Sequence, residues 1–338
     1  MSFIEDFLKL SSGNACPEPF MTWSALSLLG AVSGKKIWTM HGDTFPIHSN
    51  LYVCMVGTPG SGKSTAMNYA EKLFLKCFPE LMVSESVQSR EDILRKMGSD
   101  QCEKTWKDDE GLLGEPGKIL TYRPFYCLVD EMENFVSVDE KKMVATLVGI
   151  FQRDSFGTGF KNDPNKNQRI FNPYMSLLGC TIPEWMMSSL RESLFVGGLG
   201  RRMIIVHATK DKDIPNPTLP AGYGDIMKRL EAHLFQVESH KAILKRTPEA
   251  DKFWLEWFLN PKRKNKEDPV LMQFHETMHI MLLKVATLLA LSDNPTARFI
   301  EIQHLQKGVI LFSRLEKDVI RLTSGIGRNE LAGVGARV

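Results

Sequence analysis

A nine-residue run, Gly57-Thr58-Pro59-Gly60-Ser61-Gly62-Lys63-Ser64-Thr65, leaves this chain few folds to choose from. It contains the spacing Gly57-x4-Gly62-Lys63-Ser64. Glycines at these places let the backbone wrap so that successive N–H groups point inward at an anion. Before it stands Leu51–Val56 (LYVCMV), a continuous apolar run of the kind a buried parallel strand needs. After it, from Lys63 to Cys77, Met67, Tyr69, Ala70, Leu73 and Phe74 fall at helical spacing. An incidental glycine turn has no reason to sit in that frame. The run therefore predicts a nucleoside triphosphate cradle, formed by Gly57 through Thr65. Lys63 would place a charge on the β and γ phosphates, and Ser64 would offer a hydroxyl to Mg²⁺. The helix opening near Lys63 adds its positive end.

Around this cradle the apolar runs alternate with helical patterns. Strands are predicted at Leu51–Val56, Leu81–Ser84, Phe125–Val129, Tyr174–Cys180 and Met203–His207, and helices at Arg90–Met97, Lys141–Phe151 and Pro183–Leu190. Such an order predicts an α/β fold, a parallel sheet sandwiched by helices. Residues 1–50 read as N-terminal helices. Residues 51–210 read as the nucleotide-binding core, and Ser99–Lys118, with a net charge of −3, as a surface insertion. Past a proline-rich linker, residues 211–322 read as a smaller all-helical domain. The glycine-rich stretch 323–338 reads as a frayed tail.

Phe125–Val129 is followed at once by Asp130 and Glu131, the form of a Walker B strand. Two acids at the carboxyl end of a strand adjacent to the phosphate loop suit hydrolysis. Asp130 would hold Mg²⁺, and Glu131 would orient and deprotonate the attacking water. A small-molecule kinase has no use for an activated water, and the chain shows no short arginine-rich lid. Thr181, at the tip of Tyr174–Cys180, has two compatible readings: a contact to the γ-phosphate or its water, or a cap for the helix at Pro183. Arg201 and Arg202 follow the glycine run Gly197-Gly198-Leu199-Gly200. An arginine so placed can reach a neighbouring subunit's γ-phosphate, with Arg202 the first choice and Arg201 the second.

In their order, NLYVCMVGTPGSGKST, FYCLVDEMENF, NPYMSLLGCTIPEWM and FVGGLGRRMIIVHA make the chain resemble a phage- and plasmid-borne family of helicase-like P-loop ATPases, often fused to primase domains. More widely it is similar to AAA+ and RecA-like ring ATPases, in which an Arg-Phe pair precedes the final strand. The resemblance implies ATP and Mg²⁺ chemistry at Lys63, Ser64, Asp130, Glu131, Thr181 and Arg202. It also implies assembly as a homo-oligomer, a hexameric ring, with a primase as a separate partner. Met203 stands where phenylalanine is usual, and the arginine is doubled.

Lys plus Arg total 42 against 40 for Asp plus Glu, so bulk charge cannot hold the protein to nucleic acid, and local patches must. The segment Arg153–Asn172 carries Arg153, Lys161, Lys166 and Arg169 with Phe156 and Phe160 between them, a loop or hairpin suited to single-stranded DNA. Pro261–Lys266 reads as an exposed linker. His279 and Lys284 read as ordinary side chains of a helix whose apolar stripe, Met278 to Leu289, is core. The stretch Met278–Leu291 is too short to span a bilayer. Six cysteines without CxxC spacing, and a start lacking a basic leader, point to reduced thiols in the cytoplasm. The expected function is an ATP-driven motor on single-stranded DNA, a replicative helicase. The rival is an ATPase switch, such as a helicase loader or protein remodeller, that unwinds nothing.

Overall fold

The computed structural model describes residues 1–81, 89–137, 140–158, 168–192, 198–210, 213–260 and 269–334. Helix α1 (Phe3–Lys9) opens on a reciprocal cap: Ser2 Oγ accepts the Glu5 N–H, and the Ser2 N–H donates to Glu5 Oε2. Helix α2 (Glu18–Ser33) is apolar on nearly every side and is buried from Phe20 onward except at Thr22. It ends at Gly34, whose φ of +61° lets the chain turn beneath Tyr122. The helical expectation for residues 1–50 stops there. Strands β1 (Ile37–His41) and β2 (Phe45–His48) form an antiparallel hairpin around Gly42, another left-handed glycine. Ile37, Trp38 and Thr39 favour a pleated surface, which accounts for the departure.

The expected core follows, with strand β3 (Tyr52–Val56), helix α3 (Lys63–Cys77) and helix α4 (Arg90–Gly98). The strand expected at Leu81–Ser84 lies, beyond Leu81, outside the described residues. Strand β4 (Lys104–Asp108) then pairs antiparallel with the long strand β5 (Lys118–Val129). The segment read as a surface insertion thus extends the sheet. It is held by an aromatic cluster of Trp38, Trp106, Tyr122 and Tyr174 that its alternating charges concealed. Next come α5 (Met132–Ser137), α6 (Glu140–Ile150), the hairpin strands β6 (Ser155–Thr158) and β7 (Gln168–Phe171), β8 (Pro173–Thr181), α7 (Pro183–Glu192) and β9 (Met203–His207).

The central sheet has the order β4-β5-β8-β3-β9, and all but β4 run parallel. Alternation along β3 shows that helices cover both faces. Met55 meets Ser24 of α2 on one face, while on the other the Tyr52 hydroxyl donates to Leu147 O of α6 at 3.0 Å. Tyr126 of β5 joins the first face, against Ser27 of α2 and Phe74 of α3. Gly179 of β8 faces α5, and a Cβ there would stand 2.4 Å from Met132 Sδ.

Beyond the linker stand α8 (Tyr223–Ser239), β10 (Ala242–Arg246), α9 (Pro248–Leu259), α10 (Pro269–Asp293), β11 (Phe299–Ile300) and α11 (Ile302–Val334). Residues 211–322 are therefore not all helical. β10 and β11 complete a second sheet of order β11-β10-β1-β2, which joins the two ends of the chain. Strands of five and two residues leave too short a pattern to read against the surrounding helices. Helix α11 runs on to Val334, through most of the stretch read as a frayed tail. The apolar part of α10 is also longer than its pattern suggested. Phe274–Asp293 has the length and composition to cross a membrane, but 72% of that window is buried inside the protein, so it is a core helix.

Candidate functional site

Parallel register assembles the site. Val56 pairs with Thr181 and with His207, so β3, β8 and β9 end at one edge of the sheet. β5, with Val129 opposite Gly179, delivers Asp130 and Glu131 to the same edge. The sequence reading puts the acids on a strand adjacent to the phosphate loop; in the sheet, β8 lies between that strand, β5, and the loop-bearing β3. Asp130 nevertheless reaches the loop, and Ser64 Oγ donates to its Oδ1 at 2.6 Å. Thr181 is buried, and its carbonyl takes the Gly57 N–H at 3.2 Å, which fixes where the loop leaves β3.

The loop turns on left-handed glycines, Gly60 at φ +76° and Gly62 at φ +94°. Gly62 precedes α3 without offering a side-chain cap, and the first bond of that helix runs from the Ala66 N–H to Gly62 O. The N–H groups of Lys63, Ser64 and Thr65 therefore have no acceptor within the helix. Lys63 folds back over the same loop, with Nζ 2.6 Å from Gly57 O and 2.9 Å from Thr58 O. Burial draws its pKa down, while the surrounding Cys180, Asp130 and Cys54 act the other way. From beneath, Cys16 Sγ donates to Gly62 O, and burial pushes this thiol up to about 12, so it is a quiet donor.

Glu131 is exposed directly before α5. Its carbonyl accepts the Phe135 N–H, and its carboxylate accepts from the Asn134 amide, which holds it at the mouth of the crevice. Among the described residues no three His, Cys, Asp or Glu side chains gather as metal ligands. Ser64 and Asp130 supply two hard oxygens on one side, which suits an ion that takes its other ligands from phosphate and water, as Mg²⁺ does.

A cleft of about 320 Å³ opens beside the loop, between the start of α2, the end of β9 and α11. Pro17 and Ala208 belong to its wall and also abut the loop glycines Gly62 and Gly57. Trp23 and Leu315 give it an apolar side, and Arg314, Lys317 and Arg321 of α11 a cationic one. Asp318 Oδ2 accepts the His207 N–H at 3.4 Å, tying α11 to the end of β9; burial raises the pKa of this carboxyl. Burial also lowers that of His207, and nearby Arg321 lowers it further. Sequence reasoning missed these groups. Their only signal was the spacing of Arg314, Lys317 and Arg321 along one face of a helix.

The structure does not bring Arg201 and Arg202 to this edge. They precede β9, at the amino edge of the sheet, and five strand residues span about 16 Å. Arg201 is exposed. Arg202 is half-buried, donates from Nη1 to Gly198 O at 2.7 Å, and keeps its Nε without a partner among the described residues. Both guanidinium heads come within 3.4 Å of the position a Cβ on Gly198 would take. Gly197 lies outside the described residues.

Of the proposed nucleic-acid segment, Arg153 and Arg169 are exposed, whereas Phe156 packs against the core beneath Gly149. Phe171 is the exposed aromatic instead, with the Arg169 guanidinium 5.2 Å from its ring centre. Phe160, Lys161 and Lys166 lie outside the described residues, as does Pro261–Lys266. Lys284 is fully buried and donates to His48 O, Asn50 O and Asn50 Oδ1, while His279 packs between His41 and Phe258. Neither lies at the carboxyl edge. The six cysteines are free thiols, five of them buried. No protein-family model matches this chain, and no curated protein matches it significantly.

Proposed function

We propose that the protein is a P-loop ATPase that binds ATP with Mg²⁺ at the carboxyl edge of its central sheet and uses hydrolysis to move single-stranded DNA. The observation that carries the ATPase reading is the Ser64–Asp130 hydrogen bond. It joins a loop hydroxyl to a strand-end carboxylate from the far side of β8, at the crevice where α/β sheets bind ligands. In this reading the N–H groups of Gly62 to Thr65 bind phosphate oxygens, and Lys63 exchanges its carbonyl contacts for the β and γ phosphates. Mg²⁺ held by Ser64 and Asp130 would neutralise charge on the terminal phosphates. Glu131 receives the proton of the attacking water, and Thr181 orients that water from the tip of β8. The cleft walled by Trp23 and Ala208 takes the nucleoside.

Arg201 and Arg202, remote from the chain's own loop, act on the loop of the next copy in a head-to-tail ring, hexameric in the family resembled. The hairpin β6–β7, with Arg169 and Phe171, carries DNA contacts. Cytoplasmic replication, alongside a primase, is the setting this implies. The deciding experiment measures ATP turnover with and without single-stranded DNA, and unwinding of a forked duplex. Stimulation and unwinding are expected. Turnover without either result replaces the motor with an assembly switch, and no turnover at all removes the ATPase reading.

A further inference from the structure

A second cleft, of about 360 Å³, lies far from the phosphate loop, between the β1–β2–β10 sheet and the β4–β5 arm. Its volume falls in the range of small-molecule sites. Most of its wall is apolar: Trp38, Met40, Leu113 and Ile243 come from three separate parts of the chain. Register explains the wall. Trp38 and Met40 alternate onto one face of β1, and Pro46 and His48, opposite them on β2, share that face.

One end is polar and unevenly matched. Lys35 is only 5% exposed, and among the described residues its one carboxylate partner is the solvated Asp154. Asp154 Oδ1 stands at 3.3 Å and Asn172 Oδ1 at 3.4 Å, both at the long end of hydrogen bonding, and the Asp154 side chain is 96% exposed. A solvated carboxylate compensates a buried cation poorly. His48 shares this end. Its Nδ1 is buried without a partner among the described residues, and burial holds the ring neutral, with a pKa lowered to about 3. The charges acting on it are Lys35 and Lys284, both positive. Burial lowers the pKa of Lys35 too, and Asp154 only partly opposes that.

We infer that this cleft binds a small amphipathic carboxylate, its acid group on Lys35 and its hydrocarbon or aryl body along Trp38, Met40, Leu113 and Ile243. The ligand's carboxylate, screened from water, would replace Asp154 as the partner of Lys35. A neutral apolar molecule would leave Lys35 as it is. Asp154 is thus a competitor for the same ammonium, and the two side chains have opposite effects on binding.

Equilibrium dialysis of the full chain with labelled octanoate, and separately with 1-octanol, tests this. Octanoate is expected to bind saturably at one site per chain and at least tenfold more tightly than octanol. Lys35→Met should weaken octanoate at least tenfold and leave octanol unchanged. Asp154→Asn should tighten octanoate severalfold, an effect that a merely structural lysine does not produce. Ile243→Trp should fill the cleft and abolish binding of both probes. Should Lys35→Met fail to fold by circular dichroism, the opposite effects of Asp154→Asn and Ile243→Trp decide the matter. The inference is overturned if octanoate does not saturate, if octanol binds equally well, or if Asp154→Asn leaves octanoate affinity unchanged. ATP binding, measured in parallel, is independent of all these outcomes.

Discussion

Two lysines at opposite edges of one sheet are held by the same kind of partner and are fitted for opposite tasks. At the carboxyl edge Lys63 rests on Gly57 O and Thr58 O, in a loop where Gly60 and Gly62 take left-handed backbone conformations. At the amino edge Lys284 rests on His48 O, Asn50 O and Asn50 Oδ1. Asn50 is itself fixed, since its Nδ2 donates to Phe151 O and Met175 O. Lys63 keeps 9% of its surface, whereas Lys284 keeps none and lies 4.4 Å from the centre of the Phe151 ring. A lysine among loop carbonyls can give them up to an incoming anion. One sealed by strand-linking backbone joins α10 to the sheet. The environment, not the residue type, separates a binding group from a structural one.

The largest expected effect joins the two edges. Arg202→Ala should bind ATP normally and lose turnover by about 10³-fold, the usual worth of an arginine supplied to a phosphoryl group. Mixed with Lys63→Ala it should recover part of that rate, since one chain then lends the arginine and the other the intact loop. A mixture as slow as its components would confine Arg202 to a structural role at the amino edge. Glu131→Gln should keep ATP affinity and lose at least about 10²-fold in single-turnover hydrolysis, the ordinary range for a general base. Unchanged hydrolysis would move that role elsewhere.

Lys63→Ala should weaken ATP about 100-fold in calorimetry, because two or more charge-assisted hydrogen bonds are lost. Its thermal stability should change little. Lys284→Ala should do the reverse, costing about 3–5 kcal/mol of stability in denaturant titration, because it leaves a cavity and strips His48 O, Asn50 O and Asn50 Oδ1 of their donor. What remains folded should bind ATP as before. If Lys284→Ala weakened ATP as strongly as Lys63→Ala, the contrast between the edges would fail.

The smallest effect is on pH dependence. Burial first, and Arg202 second, hold the pKa of Lys284 well below its ordinary value of 10.5. The unfolded chain therefore binds this proton where the folded chain resists it, so this group makes stability rise with pH up to about 10.5. Lys284→Met should flatten that rise relative to the unsubstituted protein in thermal melts at successive pH values. An equal slope would show that Lys284 stays protonated when folded.

Legibility followed pattern length. Lys63–Cys77 and Met203–His207 match their elements residue for residue, because each offers a full run of apolar periodicity with clear ends. β1 and β2 were hidden by their place after a long apolar helix. β4 was hidden by the charges of Lys104, Lys107 and Asp108: Lys107 lies on the exposed face that an edge strand tolerates, whereas Asp108 is buried and accepts the Leu113 N–H. At the candidate site the loop and the two acids stood out as motifs. Arg314, Asp318 and Arg321 did not, since nothing local distinguishes a helix face that turns toward a cleft from one that turns toward water.

What the amino acids dictated alone is local: a glycine loop able to curl round an anion, parallel strands apolar enough to be buried, and acids at a strand's end. These depend on backbone freedom and on periodicity over a few residues. Only the tertiary structure decided which strand lies between which, that Asp130 meets Ser64 from beyond β8, and that Arg202 stands at the opposite edge from the loop. Strand order and register arise from packing between residues distant in sequence, and no short-range pattern encodes them.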